Sequence, residues 1–237
     1  MQNQIRVQLL ELNKNTRSNN IKKQLEIIET IQSNDFIHLK VLADLFCEKI
    51  SSHNYKSNCV DGLIYEKLLN SKNREIVEFV SNLCPEGIVP LRSARQMNYK
   101  DLQILLAQQD LVKADQLTQQ KLIQLAGVNA QNRNWLYFTD INRIPAQDLQ
   151  TIDKLWHTHS KGKFGIFVQR QIWLSMGKDW KKFWKKIEWE VDHIPCRYPD
   201  EFQWNSCGPK GHLPLFNQLR GVQVLSALFN HKAWEDY

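Results

Sequence analysis

Apolar side chains recur at helical spacing along the first third of the chain: Ile21, Leu25, Ile28, then Leu39, Leu42, Ala43, Phe46, then Leu63, Leu68, Leu69, then Ile76, Phe79, Val80. Residues three and four apart share one face of a helix, so each group predicts a short amphipathic helix. Ile5, Leu9, Leu10 and Leu12 predict another at the start. Polar turns at Ser33-Asn34-Asp35 and Ser51-Ser52-His53-Asn54 separate these segments, which predicts antiparallel helix hairpins stacked into a small bundle. The run Cys84-Pro85-Glu86-Gly87-Ile88-Val89-Pro90 then breaks the period with two prolines and a glycine. It divides the chain into a helical bundle over 1–90 and a second domain over 91–237.

The second domain is helical as well. Tyr99, Leu102, Leu105 and Leu106 share one face, as do Ala114, Leu117, Leu122, Leu125 and Ala126 before Gly127. After Pro145, residues 146–159 place Leu149, Ile152, Leu155 and Trp156 on one stripe, with Gly162 as a stop. Further helices are predicted from about Phe164 to Met176 and from Pro214 onward, the last collecting Leu215, Leu219, Val222, Leu225 and Phe229. No β-rich alternation competes, and the predicted fold class is all-α.

Composition narrows the class. An apolar fraction of 42% supports a packed core, while no apolar run approaches the roughly 20 residues that span a bilayer. The net charge of +6 indicates a preference for anions without choosing among nucleic acid, an acidic membrane surface and an acidic ligand. Five cysteines with no CxxC pair disfavour a disulfide framework or a zinc cage and point to a reducing compartment. Met1 to Lys14 carries no apolar signal core, so no cleavable targeting peptide is expected.

Candidate chemistry concentrates in the second domain. Seven of the eight tryptophans lie between Trp135 and Trp204, more than ordinary packing readily absorbs. The stretch 192–210 holds Tyr198, Phe202 and Trp204 among Pro195, Pro199, Gly208 and Pro209. Aromatic groups on such a loop either recognise a ligand or pin the loop onto the helices. Gly177 to Trp189 reads GKDWKKFWKKIEW, a basic amphipathic helix with Trp180, Phe183, Trp184 and Ile187 at helical spacing. It either packs on the core with a solvated lysine face or lies on an anionic membrane surface or partner groove. His157 and His159 diverge in direction on a helix, so no metal site is expected. Asp148 and Asp153 read as capping or solvated carboxylates near a helix start, or as a carboxylate pair. No nucleophile elbow, P-loop or dinucleotide fingerprint is present, so no catalytic residue is nominated and an enzyme is not expected.

Several runs then coincide: Leu122-Ile123-Gln124-Leu125-Ala126-Gly127, Trp135-Leu136-Tyr137-Phe138, Ile144-Pro145-Ala146-Gln147-Asp148-Leu149, and Leu155-Trp156 leading through Ser160 to Gly165. With Phe164-Gly165-Ile166-Phe167-Val168-Gln169-Arg170, which looks like an FGFSVQ signature with Phe167 where Ser is usual, and with Gly211-His212-Leu213-Pro214, the chain resembles the genomes-uncoupled-four family. That family comprises tetrapyrrole-binding activators of magnesium chelatase. The resemblance covers about 92–237, and the leader with its Gly87 to Ala94 junction looks like the two-domain cyanobacterial and algal plastid arrangement.

The resemblance implies a cupped helical domain that binds protoporphyrin IX and Mg-protoporphyrin IX without transforming them. Its implied partner is the large porphyrin-binding subunit of magnesium chelatase, in the plastid stroma, with peripheral membrane association; the alternative location is a cyanobacterial cytoplasm. No cofactor is required. By matched position, Phe138 and Ile141 line the pocket, Leu111 borders it and Arg220 meets a propionate. Tyr198, Phe202 and Trp204 belong to the porphyrin loop, and Gln223 stands where a second basic residue is familiar. Gln119 replaces an Arg and Tyr198 a Trp, so weaker propionate pairing is expected. Two other readings stay open: a bilin sensor on the same fold, and a membrane or nucleic-acid adaptor using GKDWKKFWKK, although no nucleic-acid motif supports it.

Overall fold

The computed structural model describes residues 2–13, 18–52, 55–216, 221–235 and 237. The chain divides into two compact units, Met1–Ile88 and Val89–Tyr237.

The first unit holds α1 (Gln2–Asn13), α2 (Ser18–Glu29), α3 (Phe36–Ile50), α4 (Cys59–Leu69) and α5 (Arg74–Leu83). The last three start where a short polar side chain satisfies free backbone donors. Asp35 accepts the His38 amide, Asn58 and Asp61 form a capping box, and Asn73 accepts from Glu75 and Ile76. Ile28, Leu39, Leu42, Phe46, Leu68 and Val80 form the solvent-excluded centre of this bundle. Phe79, expected on the same stripe, is 42% exposed, because Ile76 and Val80 already take the inward face of α5. Asp61 is buried and paired to Lys49 at 2.5 Å. Desolvation pushes its pKa up, and the lysine opposes that shift.

The second unit comprises α6 (Lys100–Ala107), α7 (Leu111–Ala126), α8 (Val128–Arg133), α9 (Phe138–Ile141), α10 (Ala146–Thr158), α11 (Ile166–Ser175), α12 (Trp180–Lys186) and α13 (Gln223–Phe229). A 3₁₀ turn follows at Lys232–Trp234. The fold is all-α apart from two residues in each strand of a hairpin, β1 (Glu190–Val191) and β2 (Ile194–Pro195). Asp192 and His193, both at positive φ, make its two-residue turn. α10 is the central helix, packing on α6, α11 and the 3₁₀ turn. Leu149, Ile152, Leu155 and Trp156 are fully buried along it, and the Trp156 indole N–H donates to Thr118 Oγ1 of α7 at 3.0 Å.

The two aspartates of α10 are neither solvated nor paired with each other. Asp148 is fully buried and accepts from the Ser93 hydroxyl, the Ala94 amide and the Tyr99 hydroxyl, fastening the start of the unit to α10. Asp153 accepts the Phe167 amide at 2.7 Å and the Tyr237 hydroxyl at 2.8 Å, tying in the first turn of α11 and the last described residue. His159 is buried, and desolvation pushes its pKa down to about 3. Among the described residues, no group of three or more His, Cys, Asp or Glu is placed to hold a metal ion, and no helix is long and apolar enough to cross a membrane.

The helix expected from Pro214 starts later. Leu213 to Phe216 are non-helical and buried, Leu219 lies outside the described residues, and α13 begins at Gln223. The backbone of Leu215 is bonded to α7 instead of to a helical turn, and Gly221 adopts φ +83°.

Gly165 caps α11 at φ 133° and ψ 156°, a region open essentially to glycine alone, and an added Cβ would sit 2.7 Å from Asp153 Oδ1. Gly127 has a similar backbone, φ 104° and ψ −179°, with nothing within 4 Å of such a Cβ. Gly165→Ala should therefore lose about 1–3 kcal/mol for the backbone and more for the clash, whereas Gly127→Ala loses the backbone contribution alone. Urea unfolding of both variants checks the order; equal losses would show that the Asp153 contact is not tight.

Burial pushes the Asp153 pKa up to about 6, against an ordinary value of 3.8, while the Phe167 and Tyr237 hydrogen bonds act the other way. The folded chain thus holds this proton where the unfolded chain has released it. The stabilisation is complete below pH 3.8 and is lost as pH rises through about 6. Asp153→Asn imitates the neutral carboxyl, so it should flatten the fall in stability between pH 4 and 7 by up to about 1.4 kcal/mol per pH unit. Thermal melts across that range test this, and an unchanged slope would remove Asp153 as its source.

Candidate functional site

One face of α7 forms the wall of a cavity of about 510 Å³. Asp115, Gln116, Gln119, Gln120 and Ile123 recur at helical spacing along that wall. Trp184 of α12, Trp189, Cys196, Tyr198 and Phe202 form an aromatic side. Leu215 and Phe216 close another part, Asn134 to Leu136 a further edge, and Gly221, Val222, Val224 and Leu225 the last.

The aromatic side is positioned by an interlock between two distant segments. Gln169, fully buried on α11, donates through Nε2 to the carbonyls of Gly211 at 3.0 Å and Pro214 at 2.8 Å. The Gly165 amide donates to Leu213 O, and Gly211 N–H to Lys163 O. Gly211 adopts φ +85°, and a Cβ there would lie 2.6 Å from Ile172 Cδ1. His212 extends the lock: its Nδ1 is 2.7 Å from Ile187 O, and its Nε2 accepts the Gln203 amide at 3.0 Å. These partners assign Nδ1–H as the donor and a neutral ring, in keeping with a pKa lowered by burial. The His212 carbonyl in turn accepts the Trp189 indole N–H at 2.8 Å.

From the other side, α7 grips the Leu215 peptide. Asp115 Oδ1 accepts its N–H at 2.7 Å, and Gln119 Nε2 donates to its carbonyl. Gln116 Nε2 reaches the Tyr198 hydroxyl at 3.2 Å, linking the wall to the loop. Burial pushes the Asp115 pKa up to about 7 and raises the Cys196 thiol. The described lining contains no Lys, Arg or His.

Residues 92–232 match the family model described as GUN4-like. The chain belongs to the GUN4-like family. It is 84% identical over 237 residues to ycf53 of Pyropia yezoensis, covering 100% of both chains. It is 44% identical over 138 residues to the chloroplastic tetrapyrrole-binding protein of Arabidopsis thaliana, covering 54% of this chain and 52% of that one. The structure of GUN4 from Chlamydomonas reinhardtii aligns with a TM-score of 0.59 at 40% identity, over 62% of this chain and 94% of the other. The family resemblance and the helical fold class read from the sequence both hold.

In this GUN4-like chain, the FGxxxQ and GHLP signatures are the two halves of the interlock. Phe167, where Ser is usual, faces away from the lock, its ring centred 4.9 Å from Tyr237 and 5.9 Å from Trp234. Of the residues singled out in the sequence, Tyr198 and Phe202 line the cavity. Tyr198 is half exposed, whereas Phe202 is buried and also pins the loop, 5.6 Å from the His212 ring. Trp204 backs Tyr198 edge-on at 5.8 Å and donates to Pro199 O. Leu111 and Ile141 are buried outside the lining, Phe138 is 52% exposed on α9, and Gln223 is exposed at the start of α13. Arg220 lies outside the described residues.

Sequence reading missed Asp115, Gln116, Trp184 and Trp189 as wall residues. For Asp115 a signal existed: it interrupts the buried stripe Leu111, Thr118, Leu122, Leu125 of α7, a position that selects against charge. α12 buries Phe183 and Ile187 and turns Lys181, Lys182, Lys185 and Lys186 to solvent, so its apolar side belongs to the core and the cavity.

Gln169→Leu should leave the Gly211 and Pro214 carbonyls without their donor, costing about 1–3 kcal/mol for each orphaned group. Chemical unfolding measures the loss. Hydrogen exchange should show faster exchange at the Gly165 and Gly211 amides; protection equal to that of the parent chain would disprove the interlock.

Proposed function

We propose that this GUN4-like chain binds protoporphyrin IX and its magnesium complex in the α7 cavity without transforming them. In this proposal it raises the output of magnesium chelatase through that enzyme's large porphyrin-binding subunit. The observation that carries the reading is the cavity itself. It falls within the range of about 300–1,000 Å³ typical of small-molecule pockets, and Trp135, Trp184, Trp189, Tyr198 and Phe202 give it a broad aromatic surface. Family membership and the name of the Arabidopsis relative add support.

A flat ring laid on such walls gains about 25 cal/mol for each Å² of apolar surface removed from water. The protein then holds the ligand, and chemistry on it falls to the enzyme that receives it. Activation additionally requires that the chain interact differently with two states of the chelatase, so direct contact with the large subunit belongs to the proposal. By the family resemblance, Leu111, Phe138, Ile141, Trp204, Arg220 and Gln223 are proposed as further porphyrin contacts beyond this lining, with Arg220 meeting a propionate. The proposed location is the plastid stroma, in line with the chloroplastic relative. The membrane or nucleic-acid adaptor reading loses support, because the aromatic residues it needs from α12 face inward.

Titrating the full chain with a soluble protoporphyrin analogue, metal-free and magnesium-loaded, should give saturable one-to-one quenching of tryptophan fluorescence. Tyr198→Ala should weaken binding, and Arg220→Ala should weaken it by about 1.5–3 kcal/mol, the scale of a charge-assisted hydrogen bond. Absence of quenching with both ligands would overturn the proposal.

A further inference from the structure

The segment 180–198 has two faces. Its inner face belongs to the cavity: Trp184 of α12, then Trp189 and Cys196 at the stem of the hairpin, line it, and the Cys196 N–H donates to Trp189 O at 2.9 Å. Its outer face is turned to solvent. Lys181, Lys182, Lys185 and Lys186 are exposed along α12, and among the described residues only Lys182 has an ion-pair partner, Asp179 at 3.7 Å. α12 packs on β1, and the hairpin carries Val191 and Ile194 directly opposite each other, 54% and 63% exposed. Opposed residues of two antiparallel strands point to the same side, so these aliphatic groups form one apolar tip.

Basic and acidic residues balance over 1–88, so the whole net charge of +6 belongs to 89–237. The lysines of α12 concentrate positive charge within two helical turns, a density that attracts an acidic partner and speeds the encounter. Two kinds of acidic surface answer that description. A uniformly anionic lipid surface attracts the lysines but repels Asp192, in the turn between Val191 and Ile194, and Glu188, exposed just before the hairpin. A protein surface can set acids against α12 and an apolar recess against the tip. The charge pattern therefore favours a protein. Covering Val191 and Ile194 removes apolar area from water and holds such a complex together, whereas lysines at its rim set its rate and salt dependence.

We propose that the outer face of α12 and the hairpin tip form the docking surface for an acidic protein partner, the enzyme that receives the bound ligand. This rests on the function proposed above and names the surface through which it operates. Trp184 lies between the lysines in sequence, and Trp189 and Cys196 form the stem of the hairpin whose tip the partner covers. Docking and ligand occupancy thus bear on one segment. By linkage, whatever factor ligand binding imposes on the affinity for the partner, the partner imposes on the affinity for the ligand.

The double variants Lys181→Glu/Lys185→Glu and Val191→Ser/Ile194→Ser change only exposed side chains. With the purified large subunit of magnesium chelatase as the probe, binding of the full parent chain should weaken as KCl rises from about 50 to about 300 mM. At the lower concentration the lysine variant should bind about tenfold more weakly and show a flatter salt dependence. The hairpin variant should lose affinity by a similar factor at every salt concentration. Both should bind a soluble protoporphyrin analogue within about twofold of the parent. Variants that bind the large subunit as the parent does would overturn the assignment. Sedimentation with vesicles of phosphatidylglycerol and phosphatidylcholine tests the lipid alternative, and the parent should stay in the supernatant. Co-sedimentation that the lysine variant loses would give this face to a membrane and sink the proposal. A parent chain that binds the porphyrin analogue but not the large subunit would reject the docking surface and leave the tetrapyrrole reading intact. The reverse pattern, with the variants weakened, would uphold the surface and reject that reading.

Discussion

The cavity depends on a single side-chain amide. Gln169 is held inside α11 with no access to solvent, and its two N–H groups satisfy the carbonyls of Gly211 and Pro214. A buried carbonyl in a non-helical segment has no partner within its own chain neighbourhood, so the segment 211–216 can be buried only where another element donates to it. With that segment fixed, His212 lies under Trp189 and within reach of Gln203, and Leu215 lies against α7. The aromatic side of the cavity thus inherits its position from a helix that contributes no lining residue.

Close backbone approach makes this possible. Gly165 and Gly211 both occupy positive-φ conformations, and both stand where a Cβ would collide with a neighbour. The Asp153 carboxyl, buried behind Gly165, accepts the Phe167 amide and so meets the open N-terminus of α11. Polar groups therefore determine how α10, α11 and the 211–216 segment meet, and the apolar stripe of α10 fills the space between them. Such a network tolerates little change, because each removed partner leaves a buried group unpaired.

How much of this was legible in the sequence varied with the kind of signal. The longer helices of both units followed from their apolar period, with Gly162 just beyond the end of α10, whereas the short α8 and α9 carry too few turns to show one. The start of the last helix did not, because Leu215 and Val222 fit the same helical stripe while tertiary bonds to Asp115 and Gln119 take the Leu215 backbone elsewhere. The short hairpin escaped because Asp192-His193 makes a turn usually built with glycine or asparagine. Of the loop aromatics, Tyr198 and Phe202 line the cavity and Trp204 does not, a division that depends on burial: Tyr198 stays half exposed and Phe202 does not. Asp148 and Asp153 looked like surface charges because sequence spacing does not show which hydroxyls and amides converge on them.

The cavity's own design separates affinity from selection. Aromatic and aliphatic walls attract any flat apolar ligand in proportion to the area they cover, and so discriminate poorly among rings of equal size. Discrimination comes from the few polar groups that a wrong ligand leaves unmatched. In this cavity the described lining offers few such groups, among them the carboxyl of Asp115 and the side-chain amide of Gln120. The absence of any base in the described lining adds a directional constraint.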